Sequence, residues 1–215
     1  MVTHDANQPK AHQPRSDQPA SSPQSNLTPL CYTLTLSNPQ SDSPSMKIAF
    51  IGSRGIPALY GGFETATEEI GARLAARNHQ VTVYCRPGNG DPQEAQYRGM
   101  RKIYRPCMKK KSLETLTHTC MALLHAKRQD YDVLIIMNPA NGPLCIIPKI
   151  RKIPFALHVD GLDWERTRWP WLGRKFIRFG AWCSTKLAPA LIADSHGIED
   201  YYQKHFNRET VYASY

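Results

Sequence analysis

Residues 46–77 read MKIAFIGSRGIPALYGGFETATEEIGARLAAR, and this stretch decides the fold class. The apolar run at residues 48–51 is too short for a helix and is closed by Gly52, which indicates a buried strand. Four glycines follow within eleven positions. Apolar residues then recur at helical spacing, at Phe63, Ala66, Ile70 and Leu74. Strand, glycine-rich loop and helix in this order predict the opening unit of a Rossmann-like, doubly wound α/β fold with a parallel sheet.

The glycine-rich loop predicts an anion site at the start of that helix. Backbone N–H groups at a helix N-terminus point toward an anion lying above the sheet. The pair Gly61-Gly62 stands directly before the helix, where it would let the backbone approach a diphosphate and a sugar. The alternative is that the loop is only a flexible connection, in which the glycines adopt left-handed conformations and bind no ligand.

The same loop disfavours a nicotinamide-dependent oxidoreductase. A dinucleotide fingerprint needs G-x-G-x-x-G and an acidic residue at the end of the second strand. Here the first glycines are Gly52-x-x-Gly55, and the second strand, at residues 80–84, runs into Cys85 and Arg86. A phosphate-cradling G-x-x-x-x-G-K-[ST] motif is absent as well.

Further apolar runs predict the rest of a parallel sheet with helices between its strands. Strands are expected at residues 100–104, 133–137, 155–158 and 191–193, with another beginning at residue 210. One predicted helix is capped by Ser112 and has an apolar face made of Leu113, Leu116, Cys120, Leu123 and Leu124. A later helix carries Leu172, Phe176, Phe179 and Cys183 on one face, and Ser195 is expected to N-cap a last helix at residues 197–206.

Three motifs resemble a known family of enzymes. Residues 46–65, HVDGLDW at 158–164 and IADSHGI at 192–198 look like bacterial family-4 glycosyltransferases, more narrowly the rhamnosyltransferase-like subgroup of the DUF1972 type. The resemblance covers about residues 46–215. It implies that this stretch is the N-terminal, acceptor-side half of a GT-B fold, and that the C-terminal donor-binding half is absent from the chain.

The resemblance also implies a site at the carboxyl edge of the sheet. His158 would lie against the donor sugar near the reacting carbon, although a histidine that only ends a strand is the alternative. Asp160 and Asp163 would bind acceptor hydroxyls, or a carboxylate there would act as general base if the reaction inverts. Gly61 and Gly62 would receive the diphosphate. The other candidates for substrate binding are Phe63, Glu64, Asn138, Trp164 and Ser195.

The function implied is sugar transfer from a nucleotide-diphosphate donor to a saccharide or lipid-linked acceptor in surface-polysaccharide synthesis. The nucleotide sugar is a co-substrate, and neither a cofactor nor a metal is expected. Similar enzymes carry a Glu-x7-Glu pair in their second domain, and no two glutamates lie eight positions apart here. The chain alone is therefore expected to fold without catalysing transfer. The alternatives are a non-catalytic remnant that binds acceptor or membrane and, less favoured, the oxidoreductase.

A basic helix near the end of the chain predicts contact with an anionic membrane. From residue 166 to residue 186 there are six basic residues and no acidic one. Arg174, Lys175 and Arg178 lie beside the apolar face, and tryptophans flank the segment, as in helices that lie on a bilayer. The alternative is a helix packed on the sheet with a solvated basic face. No motif for nucleic-acid binding accompanies the formal charge of +9.

Composition sets the remaining expectations. Residues 1–45 hold seven of the 17 prolines and few large apolar side chains, which predicts a disordered tail. No signal peptide and no run long enough to span a membrane is found, so the protein is expected in the cytoplasm. The basic helix predicts a peripheral position there, on the inner face of the plasma membrane. The six cysteines lack C-x-x-C spacing and predict reduced thiols.

Overall fold

The computed structural model describes residues 44–59, 61–110, 113–159, 161 and 170–214. Residues 1–43 of the predicted tail lie outside the described residues. So do the predicted cap Ser112 and three candidate site residues, Asp160, Asp163 and Trp164.

In the part of the chain that the structure describes, eight strands and five α-helices form a mixed α/β fold around one sheet. The strands are β1 Lys47–Ile51, β2 Gln80–Cys85, β3 Gln96–Tyr97, β4 Met100–Tyr104, β5 Val133–Met137, β6 Phe155–His158, β7 Ala190–Ala193 and β8 Val211–Tyr212. The helices are α1 Gly62–Ala76, α2 Glu114–Ala126, α3 Ile146–Ile150, α4 Trp171–Leu187 and α5 His196–Phe206, and a 3-10 helix covers Pro139–Cys145.

The sheet has the strand order β3-β4-β2-β1-β5-β6-β7-β8. Every pairing is parallel except that of β3 with β4. The order reverses between β1 and β5, which makes this point of the carboxyl edge the place where doubly wound sheets bind ligands. The predicted Rossmann-like fold is confirmed.

The sheet is covered on both faces, as its nearly continuous apolar strands require. On one face α1 packs over a cluster that includes Phe50, Val83, Met100 and Met137. On the other face α2, α4 and α5 pack over a larger cluster, built around Ile51, Leu134, Ile136, Leu157 and Leu191.

The predicted apolar face of α2 is wrong. Of its five residues only Leu123 is buried, and Leu113 and Leu124 are exposed. The face that packs consists instead of His118, Thr119, Ala122, Leu123 and Ala126. Alanine occupies positions 122 and 126 of this buried face, and Leu113 and Leu124 lie outside it.

Helix α4 also packs through small residues. Its buried face includes Ile177, Gly180, Ala181 and Ser184. Of the apolar face predicted for this helix, Cys183 is buried, whereas Leu172, Phe176 and Phe179 are exposed. The face richest in large apolar side chains is therefore not the one that contacts the sheet.

The described cysteines form no disulfide with one another. Cys85, Cys107, Cys120, Cys145 and Cys183 are all free. Burial raises the pKa of Cys85 to about 11 and that of Cys145 to about 12, so both thiols are protonated at neutral pH. Among the described residues no helix is both long enough and apolar enough to cross a membrane.

Candidate functional site

The carboxyl edge of the sheet brings three of the predicted site segments to one side of the molecule. The glycine-rich loop follows β1, Asn138 follows β5, and His158 ends β6. Strands β1, β5 and β6 are neighbours in the sheet, so their carboxyl ends lie next to one another. The structure thus groups the loop, Asn138 and His158 at the point where the strand order reverses.

Helix α1 begins with N–H groups that no described side chain caps. Gly61 is its N-cap residue, and the Gly61 carbonyl accepts the N–H groups of Glu64 and Thr65 at 3.1 Å each. The first N–H groups of a helix have no acceptor within the helix. Gly62 is exposed and lies in this first turn, so its N–H group is positioned for an anion from solvent.

Two other glycines of the loop adopt left-handed conformations. Gly52 has φ 104° and Gly55 has φ 111°, whereas Gly61 is extended with φ −151°. A Cβ on Gly52 would lie 2.5 Å from the Met137 carbonyl oxygen, and one on Gly55 would lie 2.5 Å from the Cys85 sulfur. The first two glycines therefore serve turn geometry and close packing, which leaves Gly61 and Gly62 as the pair at the helix start.

Two glutamates of α1 hold the loop in place. The buried Glu64 accepts the Arg54 N–H at 2.8 Å, and Glu68 accepts the Ala58 N–H at 2.7 Å. Glu64 is a predicted substrate-binding residue, and the contact observed for it is with the loop. Glu68 was missed by sequence reasoning. Its position four residues after Glu64, on the same side of the helix, is the signal that identifies the pair.

His158 lies under the start of α1. It is 1% exposed, and its ring meets the Phe63 ring edge-on with centroids 5.9 Å apart. Burial lowers the pKa of His158, and the nearby Asp194 opposes that shift. The lowered pKa favours the neutral form of the imidazole at pH 7. Among the candidate site residues described, Phe63 and His158 are brought into direct ring contact.

Asn138 and Ser195 occupy helix starts. Asn138 has φ 76°, and its Oδ1 accepts the Ala140 N–H at 2.9 Å, which caps the 3-10 helix. Ser195 stands at the predicted N-cap position of α5, but its exposed side chain makes no capping hydrogen bond. The cap position is confirmed, and the side-chain cap is not.

A buried arginine at this edge was not among the predicted site residues. Arg86 follows β2 directly and is 6% exposed. Its N–H donates to the Arg54 carbonyl at 2.8 Å, which sets the loops after β1 and β2 side by side. Its guanidinium Nη2 donates to Thr115 Oγ1 at 3.0 Å. The sequence signal was available, since a charged residue directly after a buried strand lies at the edge where ligands bind.

Other surfaces fit a ligand less well. A depression of about 460 Å³ opens at the opposite, amino edge beside Lys47, Gln80 and Arg101. Ligands of open parallel sheets bind outside the carboxyl ends, so the site is not assigned there. Within the described ranges no group of three or more His, Cys, Asp or Glu side chains is arranged to hold a metal ion.

Solved structures with a similar fold are glycosyltransferases. Phytolacca americana UGT2 complexed with UDP-2fluoro-glucose and pterostilbene matches with a TM-score of 0.55 and 13% identity, over 80% of this chain and 54% of that one. The apo form of that protein matches with a TM-score of 0.51 and 11% identity, over 78% and 51%. LpCGTa in complex with UDP matches with a TM-score of 0.50 and 12% identity, over 71% and 46%. The fold is thus similar to that of GT-B glycosyltransferases, and the chain spans about half the length of these proteins.

Sequence comparison identifies a family. No curated protein matches the chain at a significant level. Residues 46–215 match the family described as "Domain of unknown function (DUF1972)", which accounts for the whole sheet and all of its helices. The chain therefore belongs to the DUF1972 family.

Proposed function

We propose that residues 46–215 form the acceptor-side domain of a glycosyltransferase. The reaction moves a sugar, with rhamnose as the candidate, from a nucleotide-diphosphate donor to a saccharide or lipid-linked acceptor in surface-polysaccharide synthesis. One observation carries the proposal. The buried, neutral His158 at the carboxyl edge contacts Phe63, and Phe63 belongs to the first turn of α1. A buried histidine and the start of α1 are thereby adjacent at the carboxyl edge. A donor-binding domain would form the opposite wall of the site.

In the proposed reaction the helix N–H groups and the base have different roles. The bond between the sugar carbon and the donor phosphate oxygen breaks, and the diphosphate leaves with the bonding electrons. The N–H groups at Gly62 and Phe63 stabilise the negative charge that grows on it. The acceptor oxygen forms the new bond to the sugar carbon, and its proton passes to a base. His158 is one candidate for that base, and Asp160 is the other.

A panel of donor sugars tests the proposal. UDP-, GDP- and dTDP-sugars, including dTDP-rhamnose, are incubated with acceptor saccharides and with the longest protein that the gene encodes, and products are measured by mass spectrometry. Transfer from one donor is expected. The chain of 215 residues alone should show none, with nucleotide binding weaker than about a millimolar. Absence of transfer from every donor in the longer protein would favour the non-catalytic alternative.

We also propose that α4 contacts an anionic membrane surface. Three large apolar side chains of this helix, Trp171, Leu172 and Phe179, are 60%, 63% and 51% exposed. Arg174, Lys175, Arg178 and Lys186 are exposed on the same helix, which contains no acidic residue. The Lys175 ammonium lies 4.5 Å from the centroid of the Trp171 ring. Exposed aromatic rings beside cations match the interface between acyl chains and anionic headgroups.

Removing three of these charges should weaken binding to anionic vesicles by about two orders of magnitude. Each cation near the surface contributes about 1 kcal/mol, so Arg174→Gln, Lys175→Gln and Arg178→Gln together remove about 3 kcal/mol. The measurement is co-sedimentation with phosphatidylglycerol vesicles at several salt concentrations, because screening weakens this attraction. Tryptophan fluorescence should shift to the blue on binding, since Trp171 and Trp182 are exposed in the free protein.

A matched triple variant controls for net charge. Arg73→Gln, Arg77→Gln and Lys204→Gln also remove three exposed cations, on α1, at its end and on α5. This variant should bind the vesicles nearly as the wild type does. Equal weakening in both variants, or equal binding of the wild type to neutral and anionic vesicles, would contradict a specific role for α4.

A further inference from the structure

Large apolar side chains are exposed mainly on one side of the sheet. Besides those of α4, the exposed ones include Met121 and Leu124 of α2 and Ile146 and Ile150 of α3. Helices α2, α3 and α4 pack over the larger core cluster, whereas α1 packs over the smaller one on the opposite face. Among the described residues, α1 exposes no large apolar side chain. Contiguous exposed apolar surface marks a place where a protein or a membrane binds.

Helix α3 continues the surface of α4. The Lys149 ammonium donates to the Lys186 carbonyl oxygen at 3.2 Å, so the end of α3 lies beside the end of α4. Ile150, the next residue, is 70% exposed, which is more than any large apolar side chain of α4. Arg151 and Lys152 follow it and are exposed as well. The end of α3 therefore repeats the combination found on α4, an exposed apolar side chain among cations.

A groove of about 430 Å³ opens along α2. It is lined by the cations Arg105, Lys127 and Arg128 and by the exposed apolar side chains Met121 and Leu124. Within the part of the chain that the structure describes, none of these three cations forms an ion pair. The groove therefore places positive charge without a carboxylate partner next to apolar surface.

Positive charge acts on the groove from both of its walls. His125 lies in its lining, and burial lowers the pKa of this histidine, which Arg105, Arg101 and Arg128 lower further. Arg101 belongs to β4 and Arg105 follows that strand, whereas Arg128 follows α2. Asp130, the carboxylate nearest to Arg128 in the sequence, lines the separate depression at the amino edge. An anion in the groove would thus be attracted from two elements at once.

The two faces of the sheet also differ in charge. Helices α3 and α4 contain no acidic residue, and α2 contains Glu114 alone. On the opposite face α1 carries Glu64, Glu68 and Glu69. Charge and apolar exposure therefore favour the same partner on the same side, an anionic lipid surface.

We infer that the membrane-contact surface extends from α4 over α3 to the groove beside α2, where Arg105 and Arg128 bind the phosphate of an anionic lipid headgroup. The inference rests on the proposed contact of α4 with a membrane and defines the extent of that contact. Guanidinium groups suit a phosphate, and the apolar side chains beside them meet the acyl chains. The face that carries α2, α3 and α4 is then turned toward the bilayer, and α1 lies on the side away from it.

Methyl NMR on the chain of 215 residues measures this orientation directly. Protein with ¹³C-labelled isoleucine methyl groups is mixed with phosphatidylglycerol nanodiscs that contain a spin-labelled lipid. The signals of Ile146 and Ile150 should broaden, whereas that of Ile70, on α1, should stay sharp. Nanodiscs of neutral phosphatidylcholine should broaden all three much less. Broadening of Ile70 as strong as that of Ile150 would overturn the orientation.

Two double variants test α3 and the groove separately. Arg151→Gln with Lys152→Gln removes the cations after α3, and Arg105→Gln with Arg128→Gln removes those of the groove. Each pair should weaken co-sedimentation with phosphatidylglycerol vesicles about thirtyfold, because each cation near an anionic surface contributes about fivefold. Arg105→Lys with Arg128→Lys keeps both charges and should retain most of the binding, and thermal unfolding shows whether each variant keeps its fold.

Matched controls separate position from composition. Arg73→Gln with Arg77→Gln also removes two exposed cations, on α1 and directly after it, and should leave binding nearly unchanged. Ile150→Ser should weaken binding about tenfold through the lost apolar contact. Val211→Ser is its control, since Val211 is 61% exposed on β8, outside the inferred surface.

Each part of the inference has an outcome that contradicts it. Unchanged binding in both α3 variants, with no broadening of Ile150, would limit the surface to α4. Unchanged binding when Arg105 and Arg128 are glutamine would exclude the headgroup site in the groove. Weakened binding in the α4 triple variant together with these results would leave the proposed contact of α4 standing. Absence of vesicle binding by the wild type would contradict both that contact and its extension.

Discussion

Alanine in place of His158 should lower kcat/KM for sugar transfer by about a hundredfold or more. The loss of a positioned proton acceptor at the reacting centre has an effect of this size. Because burial lowers the pKa of His158, the acid limb of the wild-type pH profile should fall below the ordinary histidine value of about 6.5. The limb should disappear in the variant. The measurement is initial-rate kinetics between pH 4 and 9 on whichever protein transfers sugar in the donor panel, with the donor found there.

The control separates proton transfer from packing. His158 is buried against Phe63, so the alanine variant also loses ring contacts. His125→Ala, on α2, removes a histidine that hydrogen-bonds the Tyr84 hydroxyl at 2.8 Å, and it should leave transfer nearly unchanged. A His158→Ala protein that keeps its thermal midpoint and more than about a third of the wild-type rate would assign the proton to Asp160 or to another group.

The first unit of the fold was predictable because its signals are local. A short apolar run, a glycine-rich loop and helical spacing specify β1 and α1 without reference to the rest of the chain. The same holds for β5, whose run Val133–Met137 is apolar throughout and pairs on both sides with parallel strands. The position of His158 was predictable in the same way, because ligands of open parallel sheets bind outside the carboxyl ends of the strands.

Other features depend on contacts between distant segments. Strand β3 is two residues long and is joined to β4 by a turn at Arg98 and Gly99, which have φ 47° and 78°. Asn-Gly is the strong sequence signal for such a turn, and Arg-Gly is a weak one. Arg98 holds this hairpin to α1 through ion pairs with Glu68 and Glu69 at 2.9 and 2.7 Å. The sequence of the hairpin alone does not indicate that Arg98 pairs with Glu68 and Glu69.

Helix faces were the least predictable feature, and for one physical reason. Apolar periodicity predicts that the face with the largest hydrophobic side chains is the one that packs. In α2 and α4 the buried face instead contains several small residues. In α4 this leaves Leu172 and Phe176 exposed. Close approach of two backbones needs Gly, Ala or Ser at the contact, and a hydropathy pattern gives these residues little weight. The contact between α4 and the 3-10 helix is the clearest example.

A methyl group at this contact should destabilise the fold strongly. Gly142 of the 3-10 helix is buried against α4, and a Cβ there would overlap the Gly180 carbonyl oxygen. The same Cβ would lie 2.5 Å from Ser184 Oγ and 2.9 Å from the Ser184 backbone nitrogen. Two of these three atoms are backbone, so no side-chain rotation relieves the overlap, and one element must move away from the other. Overpacking usually costs about 1–3 kcal/mol, and a clash with backbone belongs at the upper end.

Gly142→Ala is therefore expected to lower the free energy of unfolding by about 3 kcal/mol and the thermal midpoint by about 10 °C. Gly197→Ala, near the start of α5, is the matched control, because a Cβ there meets nothing within 4 Å. Alanine has the higher helix propensity, so the control should be neutral or slightly stabilising. Differential scanning calorimetry on both variants gives the comparison. Equal midpoints for the two would mean that α4 and the 3-10 helix separate easily. In that case the exposed surface of α4 would not be held at a fixed position relative to Asn138, which precedes the 3-10 helix at the carboxyl edge.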